Sequence, residues 1–140
     1  MERLINIGFQ EAGSWIKGTN KSGIDYELNT YRSNTQILYS FISDNEIFYI
    51  GKSDNSLETR MNGYKNAGGS QRTNIRVQAE IIQLLDKNKG VKIYVLVDDA
   101  NYDHKGVKIR LSSGLEDNLI GLIRPKWNFR SNGHTRIKDY

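Results

Sequence analysis

Two short apolar runs constrain this chain more than any other feature. Ile37-Leu38-Tyr39-Ser40-Phe41-Ile42 and Ile47-Phe48-Tyr49-Ile50 are rich in β-branched and aromatic residues, and the polar turn Ser43-Asp44-Asn45-Glu46 separates them. Runs of this kind read as strands, and their close spacing reads as an antiparallel hairpin. Each run carries a tyrosine, and Tyr39 and Tyr49 stand ten positions apart. A three-residue loop, Ser43-Asp44-Asn45, puts Asn45 in the left-handed conformation that Asn tolerates and sets Tyr39 opposite Tyr49 on one face. A two-residue loop, Asp44-Asn45, puts them on opposite faces, because a one-residue slip inverts every side chain. The shared face therefore depends on the turn.

The rest of the chain supplies partners for that hairpin. Ser14-Trp15-Ile16-Lys17 and Ile24-Asp25-Tyr26-Glu27-Leu28 alternate around the turn-rich Gly18 to Gly23, which predicts an N-terminal β-hairpin. Ser56 is an N-cap for a helix from Leu57, on which Leu57, Arg60, Met61 and Tyr64 share one face. Asn74 to Lys87 reads as a second helix, with Ile75, Ala79, Ile81, Ile82, Leu84 and Leu85 apolar. Val91, Ile93, Val95 and Val97 alternate as a third core strand, and residues 98–110 form a polar excursion. A last helix opens at Ser113-Gly114-Leu115-Glu116, with Leu115, Leu119, Leu122 and Ile123 as its buried stripe and Pro125 beyond its end.

With 140 residues, one domain is expected. The fold class is α+β: a small central antiparallel sheet of about three core strands, flanked by helices, with an N-terminal hairpin-like extension. The expected division is residues 1–34 as an extension packed on the core, 35–130 as the main domain, and 131–140 as a basic tail. No apolar run approaches the roughly 20 residues that span a bilayer. Met1-Glu2-Arg3 leads to no long apolar stretch, so a secretory leader is not expected. Without cysteine, disulfides and thiolate zinc sites are excluded, and an intracellular, cytoplasmic location is expected.

Formal net charge is +4 and the pI is about 9.3. That excess permits nucleic-acid binding without demanding it. Lys126, Arg130, Arg136 and Lys138 crowd the C-terminus, as a segment following a phosphate backbone would. Gly68-Gly69-Ser70-Gln71-Arg72-Thr73-Asn74-Ile75-Arg76 joins flexible glycines to side chains that read base edges, so Ser70, Gln71, Arg72, Asn74 and Arg76 are candidate DNA contacts. A solvated loop capping a helix explains the same residues. His104 and His134 are isolated, and no Gly-rich P-loop is present, so a histidine-metal nuclease and nucleotide-driven chemistry are disfavoured.

The ordered set Tyr39, Tyr49-Ile50-Gly51, Lys52, Arg60, Tyr64, Glu116 and Asn128 resembles the GIY-YIG nuclease family. The second motif is intact as Tyr49-Ile50-Gly51. In the first, Ile37-Leu38-Tyr39, Ile37 replaces the usual glycine and Leu38 the usual isoleucine, while the tyrosine remains. The resemblance spans roughly Ile37 to Asn128, and residues 1–34 lie outside the minimal module. It implies a DNA endonuclease dependent on Mg²⁺, with Mn²⁺ as a substitute, leaving 5′-phosphate and 3′-hydroxyl ends. Restriction, intron homing and repair are all functions of the family. A chain without room for a further DNA-binding domain fits a compact, sequence-specific restriction enzyme best. A structure-specific repair nuclease and a non-catalytic DNA-binding module of the same fold are the alternatives. Cutting both strands of double-stranded DNA requires a homodimer or sequential nicking.

The resemblance also assigns roles. Glu116 is the metal-holding carboxylate; one carboxylate suffices for Mg²⁺ when water and phosphate oxygens complete its shell. Ser113-x-x-Glu116 is equally a capping box, a purely structural explanation. Tyr39 is the candidate base. A free phenol titrates near pH ~10, so it needs a nearby cation to favour its phenolate. Tyr49 orients water or phosphate. Arg60 offers a planar fork suited to phosphate, with a structural salt bridge as the rival reading. Tyr64 and Lys52 contact the same phosphate or the nucleophile, and Asn128 orients the site.

Overall fold

Residues 1–99 and 102–137 are described by a computed structural model. After a short helix α1 (Glu2–Asn6) come β1 (Gln10–Lys17), β2 (Ile24–Leu28), β3 (Ile37–Ser43) and β4 (Glu46–Ser53). Helices α2 (Leu57–Lys65) and α3 (Arg72–Asp86) precede β5 (Val91–Val97) and a small hairpin, β6 (Tyr102–His104) with β7 (Val107–Ile109). Helix α4 (Leu111–Ile123) and a 3₁₀ turn, Lys126–Asn128, follow. The expected α+β class holds. The three anticipated core strands belong to a five-stranded antiparallel sheet ordered β2-β1-β5-β3-β4. The N-terminal hairpin joins the core through the sheet itself, because β1 pairs with β5.

Every residue of β3 is buried, since helices cover both sheet faces. On one face Trp15, Tyr39, Phe41 and Tyr49 pack against Leu57, Met61 and Tyr64 of α2 and Val77, Ile81 and Leu85 of α3. On the other, Leu38, Ile42 and Ile50 meet Leu119 and Ile120 of α4, with Leu4, Phe9 and Phe129 closing the layer. Strand β4 lies at the sheet edge between these layers.

The hairpin turn differs from the expected one. Asp44 and Asn45 both have positive φ, 49° and 64°, and Ser43 pairs with Glu46, so the loop has two residues. Both central residues of a type I′ turn need positive φ, which Asp and Asn tolerate. Tyr39 then lies opposite Gly51, and Phe41 opposite Tyr49. The tyrosines still share a face. Phe41 pairs with Tyr49 while Ile42 pairs with Ile47, so Phe48 is an extra residue, a bulge that restores the parity lost at the turn.

Two helical faces also depart from expectation. Helix α3 buries Val77, Ile81 and Leu85, one row at four-residue spacing, and leaves Ile75 at 39% exposure. Helix α4 starts at Leu111, so Ser113 and Glu116 lie inside it and form no capping box. Its N-terminus is held by Asp98, whose Oδ2 accepts from the Ser112 amide at 2.8 Å. Leu119 and Ile120 are its buried pair, and Leu122 is 62% exposed. The chain after α4 folds back on itself: Phe129 bridges Arg136, the Arg130 amide donates to Thr135 O, and the Ile137 amide donates to Asn128 O. Lys138, and the rest of the anticipated tail to residue 140, lie outside the described residues.

The α3 row is testable by urea denaturation. Ile81→Ala should cost about 2–5 kcal/mol, as a cavity in a filled core does. Ile75→Ala should fall within about 0.5 kcal/mol of wild type. Equal losses at both positions would contradict the face assigned here.

Candidate active site

Four of the anticipated residues converge on one sheet face. Tyr39 comes from the interior strand β3, Tyr49 from the edge strand β4, and Arg60 and Tyr64 from α2, one turn apart. Ser56 starts that helix as expected, its Oγ accepting from the Thr59 amide at 3.1 Å. Helical spacing then aims Arg60 and Tyr64 at the sheet together. The Tyr39 and Tyr64 hydroxyls are 2.7 Å apart. Arg60 binds both: Nε donates to Tyr39 Oη at 2.9 Å, and Nη2 donates to Tyr64 Oη at 2.8 Å. The guanidinium also lies over the Tyr64 ring, 4.2 Å from its centre. Tyr49 completes the aromatic floor, its ring 6.3 Å from that of Tyr39 and 6.2 Å from that of Tyr64. All three tyrosines are buried.

The electrostatics centre on Arg60. Burial alone would lower its pKa, but the oxygens of Tyr39 and Tyr64, and more weakly Tyr49, outweigh that effect and raise it above the usual guanidinium value. Arg60 is therefore a fixed cation. Among the described residues it forms no ion pair with a carboxylate, so the salt-bridge explanation of its burial does not apply. Asn74 supplies a further acceptor, its Oδ1 lying 3.1 Å from Arg60 Nη2. The sequence placed Asn74 among DNA contacts; the structure turns it inward, and only the conversion of its loop into the first turn of α3 reveals that. Ser70, Gln71 and Arg72 are exposed around the start of α3, and Arg76 lies a turn further on.

Gly51 fixes the position of Tyr39. A Cβ built at Gly51 would sit 2.5 Å from Tyr39 Oη and 2.6 Å from Cζ. The phenol thus lies across bare backbone of β4, which is the physical reason for glycine after Tyr49-Ile50. Lys52 lies within β4, opposite Leu38, rather than beyond the strand, and is exposed. Its neighbour Ile50 faces the α4 layer, and alternation puts Lys52 on that same side.

Asn128 and Glu116 come from the α4 side. Asn128 is buried; its Oδ1 accepts from the Ile50 amide at 3.0 Å, and its Nδ2 donates to Ile50 O at 2.9 Å. It holds the backbone of the motif strand. Glu116 has a side chain only 14% exposed and bonds Arg136 at 3.1 Å, while Arg136 also bonds Asp117 at 2.6 Å. The site residues therefore fall into two groups: the phenol–arginine cluster beneath α2 and α3, and Glu116 with Lys52 on the α4 side, with edge strand β4 between them.

Comparisons with known proteins agree with this architecture. A mutant of bacteriophage T4 EndoII superposes with a TM-score of 0.65 over 91% of this chain and 97% of that one, at 18% sequence identity. The restriction endonuclease HPY188I, solved in complex with product DNA, superposes with a TM-score of 0.55 over 97% of this chain and 85% of that one, at 20% identity. At these identities the likeness establishes the fold. No family model matches the sequence, and no curated protein matches it. No helix among the described residues is long and apolar enough to cross a membrane.

Gly51→Ala should force Tyr39 out of its position. The expected result is a loss of about 1–3 kcal/mol in chemical denaturation, the usual cost of overpacking, with an altered near-ultraviolet signal from the tyrosine cluster. Unchanged stability and spectrum would show that Tyr39 does not depend on Gly51.

Proposed function

We propose that this protein is a DNA endonuclease of the GIY-YIG type, and specifically a compact, restriction-like enzyme that hydrolyses phosphodiester bonds in duplex DNA. The observation that carries the reading is Arg60: a largely buried cation, held by two phenols and an amide, with no carboxylate to neutralise it among the described residues. A site of that kind suits an anionic ligand. The fold shared with two endonucleases supports the choice of a phosphodiester.

In this reading Arg60 stabilises the phosphate as charge develops on it. Tyr39 is the base, accepting the proton of the attacking water at Oη. Two donors prepare it for that role. Arg60 Nε already points at its oxygen, and the Tyr64 hydroxyl, 2.7 Å away, donates to it once it ionises. Tyr49 packs beside both rings and orients the phosphate. Asn74 holds the far side of the guanidinium, and Asn128 fixes the strand that carries Tyr49.

The implied metal ion fits the chemistry of Glu116. A carboxylate is the hard oxygen donor that Mg²⁺ or Mn²⁺ prefers, and Asp98 takes over the helix-capping role that would otherwise explain the glutamate. Arg136 competes for the same carboxylate. When bound there, the ion would neutralise charge on the scissile phosphate. Among the described residues no cluster of three or more His, Asp or Glu forms a second candidate.

Complete burial of Tyr39, Tyr49 and Tyr64 favours a second reading, in which the cluster is a structural network in a DNA-binding module. Incubation with plasmid DNA separates the two. Nicking or linearisation with Mg²⁺, abolished by EDTA, is expected; DNA binding without cleavage on modified and unmodified plasmids would establish the module instead. Tyr39→Phe should lower the cleavage rate about 10²–10⁴-fold, the range of a general base. Glu116→Gln should abolish cleavage while DNA binding persists and the melting temperature changes little. A cleaving Glu116→Gln protein would refute the metal-ligand role.

A further inference from the structure

Four cations from separate elements meet in a cleft whose lining includes none of Tyr39, Tyr49, Arg60, Tyr64 and Glu116. Arg76 of α3, Arg124 at the end of α4, Lys126 of the 3₁₀ turn and Arg130 of the returning C-terminal segment line a cleft of about 800 Å³. Glu80 is the one carboxylate among its lining residues. Two of the arginines are held in ways that leave charge undischarged. Arg76 Nη2 is buried without a hydrogen-bond partner, and Arg76 forms no ion pair among the described residues. A buried donor of that kind costs free energy until an acceptor reaches it. Arg124 adopts a left-handed backbone, φ 54°, at the close of α4. Its guanidinium stacks 4.2 Å from the centre of the Phe129 ring, and its Nη2 donates to Gly133 O at 2.6 Å. Both contacts fix the fork in place without neutralising it.

The cleft shares Lys126, Trp127 and Glu80 with a second one of about 380 Å³, where Lys87 and Lys89 are offset by Asp44 and Glu46, so the excess of positive charge lies in the first. Lys89 is partly matched there by Asp44, at 3.6 Å. A single small anion would satisfy one or two of these groups. Cations set along a groove, on four separate elements, suit a ligand that repeats its negative charge, as a nucleic-acid backbone does.

We propose that the groove built on Arg76, Arg124, Lys126 and Arg130 is a second phosphate-contact site that holds the backbone of duplex DNA apart from the scissile phosphate. This rests on the nuclease reading for its choice of ligand, but not for its geometry. Contacts of this type position the duplex and carry no sequence information.

The test is binding of a short fluorescent DNA duplex to the full-length protein in EDTA, measured across a range of NaCl concentrations. Arg76→Gln, Lys126→Gln and Arg130→Gln should each weaken binding several-fold and lower the slope of log affinity against log salt by about one. Lys126 and Arg130 are exposed, so their variants should melt with wild type and report on binding alone. Wild-type affinity and slope in all three variants would overturn the proposal. The two readings fail separately. A protein that nicks plasmid with Mg²⁺ but whose groove variants bind normally loses only the groove. Impaired binding in the variants of a protein that never cuts would leave the groove standing and remove the nuclease.

Discussion

A guanidinium taken out of water must be compensated, and the way Arg60 is compensated organises the face of the sheet on which it sits. A carboxylate partner would have closed the account with a buried ion pair. Two phenol oxygens, an amide oxygen and an aromatic face are used instead. These groups hold the cation while leaving its formal charge intact. The arrangement demands that α2 present Arg60 and Tyr64 one turn apart, that β3 present Tyr39 beneath them, and that β4 present no side chain where the phenol lies. Each demand is met by a separate element, so the cluster ties the helical layer to the edge strand and to the interior strand beside it.

The other layer secures the edge strand. An edge leaves backbone donors and acceptors unpaired and open to another chain. At Ile50 the amide of Asn128 occupies both positions, doing for one residue what a neighbouring strand would do for many. The 3₁₀ turn that carries Asn128 also carries Trp127, whose ring packs 5.0 Å from that of Phe48. The bulged residue and the motif strand are thus clasped from the same short segment. Asp98 at the head of α4 serves a similar economy, since capping from outside the helix leaves Glu116 without that duty.

Much of this was legible in the sequence, for identifiable reasons. Strands β3, β4 and β5 announced themselves through β-branched and aromatic runs, and α2 through Ser56 and the spacing of Leu57, Arg60, Met61 and Tyr64. The shared face of Arg60 and Tyr64 followed from that spacing, whereas Tyr39 and Tyr49 share theirs only through the bulge at Phe48, which the sequence did not announce. The inward turn of Asn74 did not, because the glycines before it read as a loop, whereas Arg72 already begins α3. The true face of α3 was masked by an excess of apolar residues: Ile75, Ile81, Ile82, Leu84 and Leu85 fit several stripes, and Val77 decides among them only once the sheet is in place. The start of α4 was displaced because its cap, Asp98, is separated from it by the β6–β7 excursion. Long-range capping leaves no local signature.

The hairpin of β3 and β4 behaves like a text in which one deletion is offset by one insertion. Its turn has a residue fewer than a shared tyrosine face requires, and the bulge at Phe48 has a residue more. Either change alone would swing one tyrosine out of the aromatic cluster, while the pair is silent in three dimensions. A chain with a three-residue turn and no bulge would reach the same arrangement by a different spelling. Structural superposition is blind to the choice, but position-by-position alignment has to open a gap on each side of Ile47. Motif spacing in such folds is therefore better counted along the sheet than along the chain.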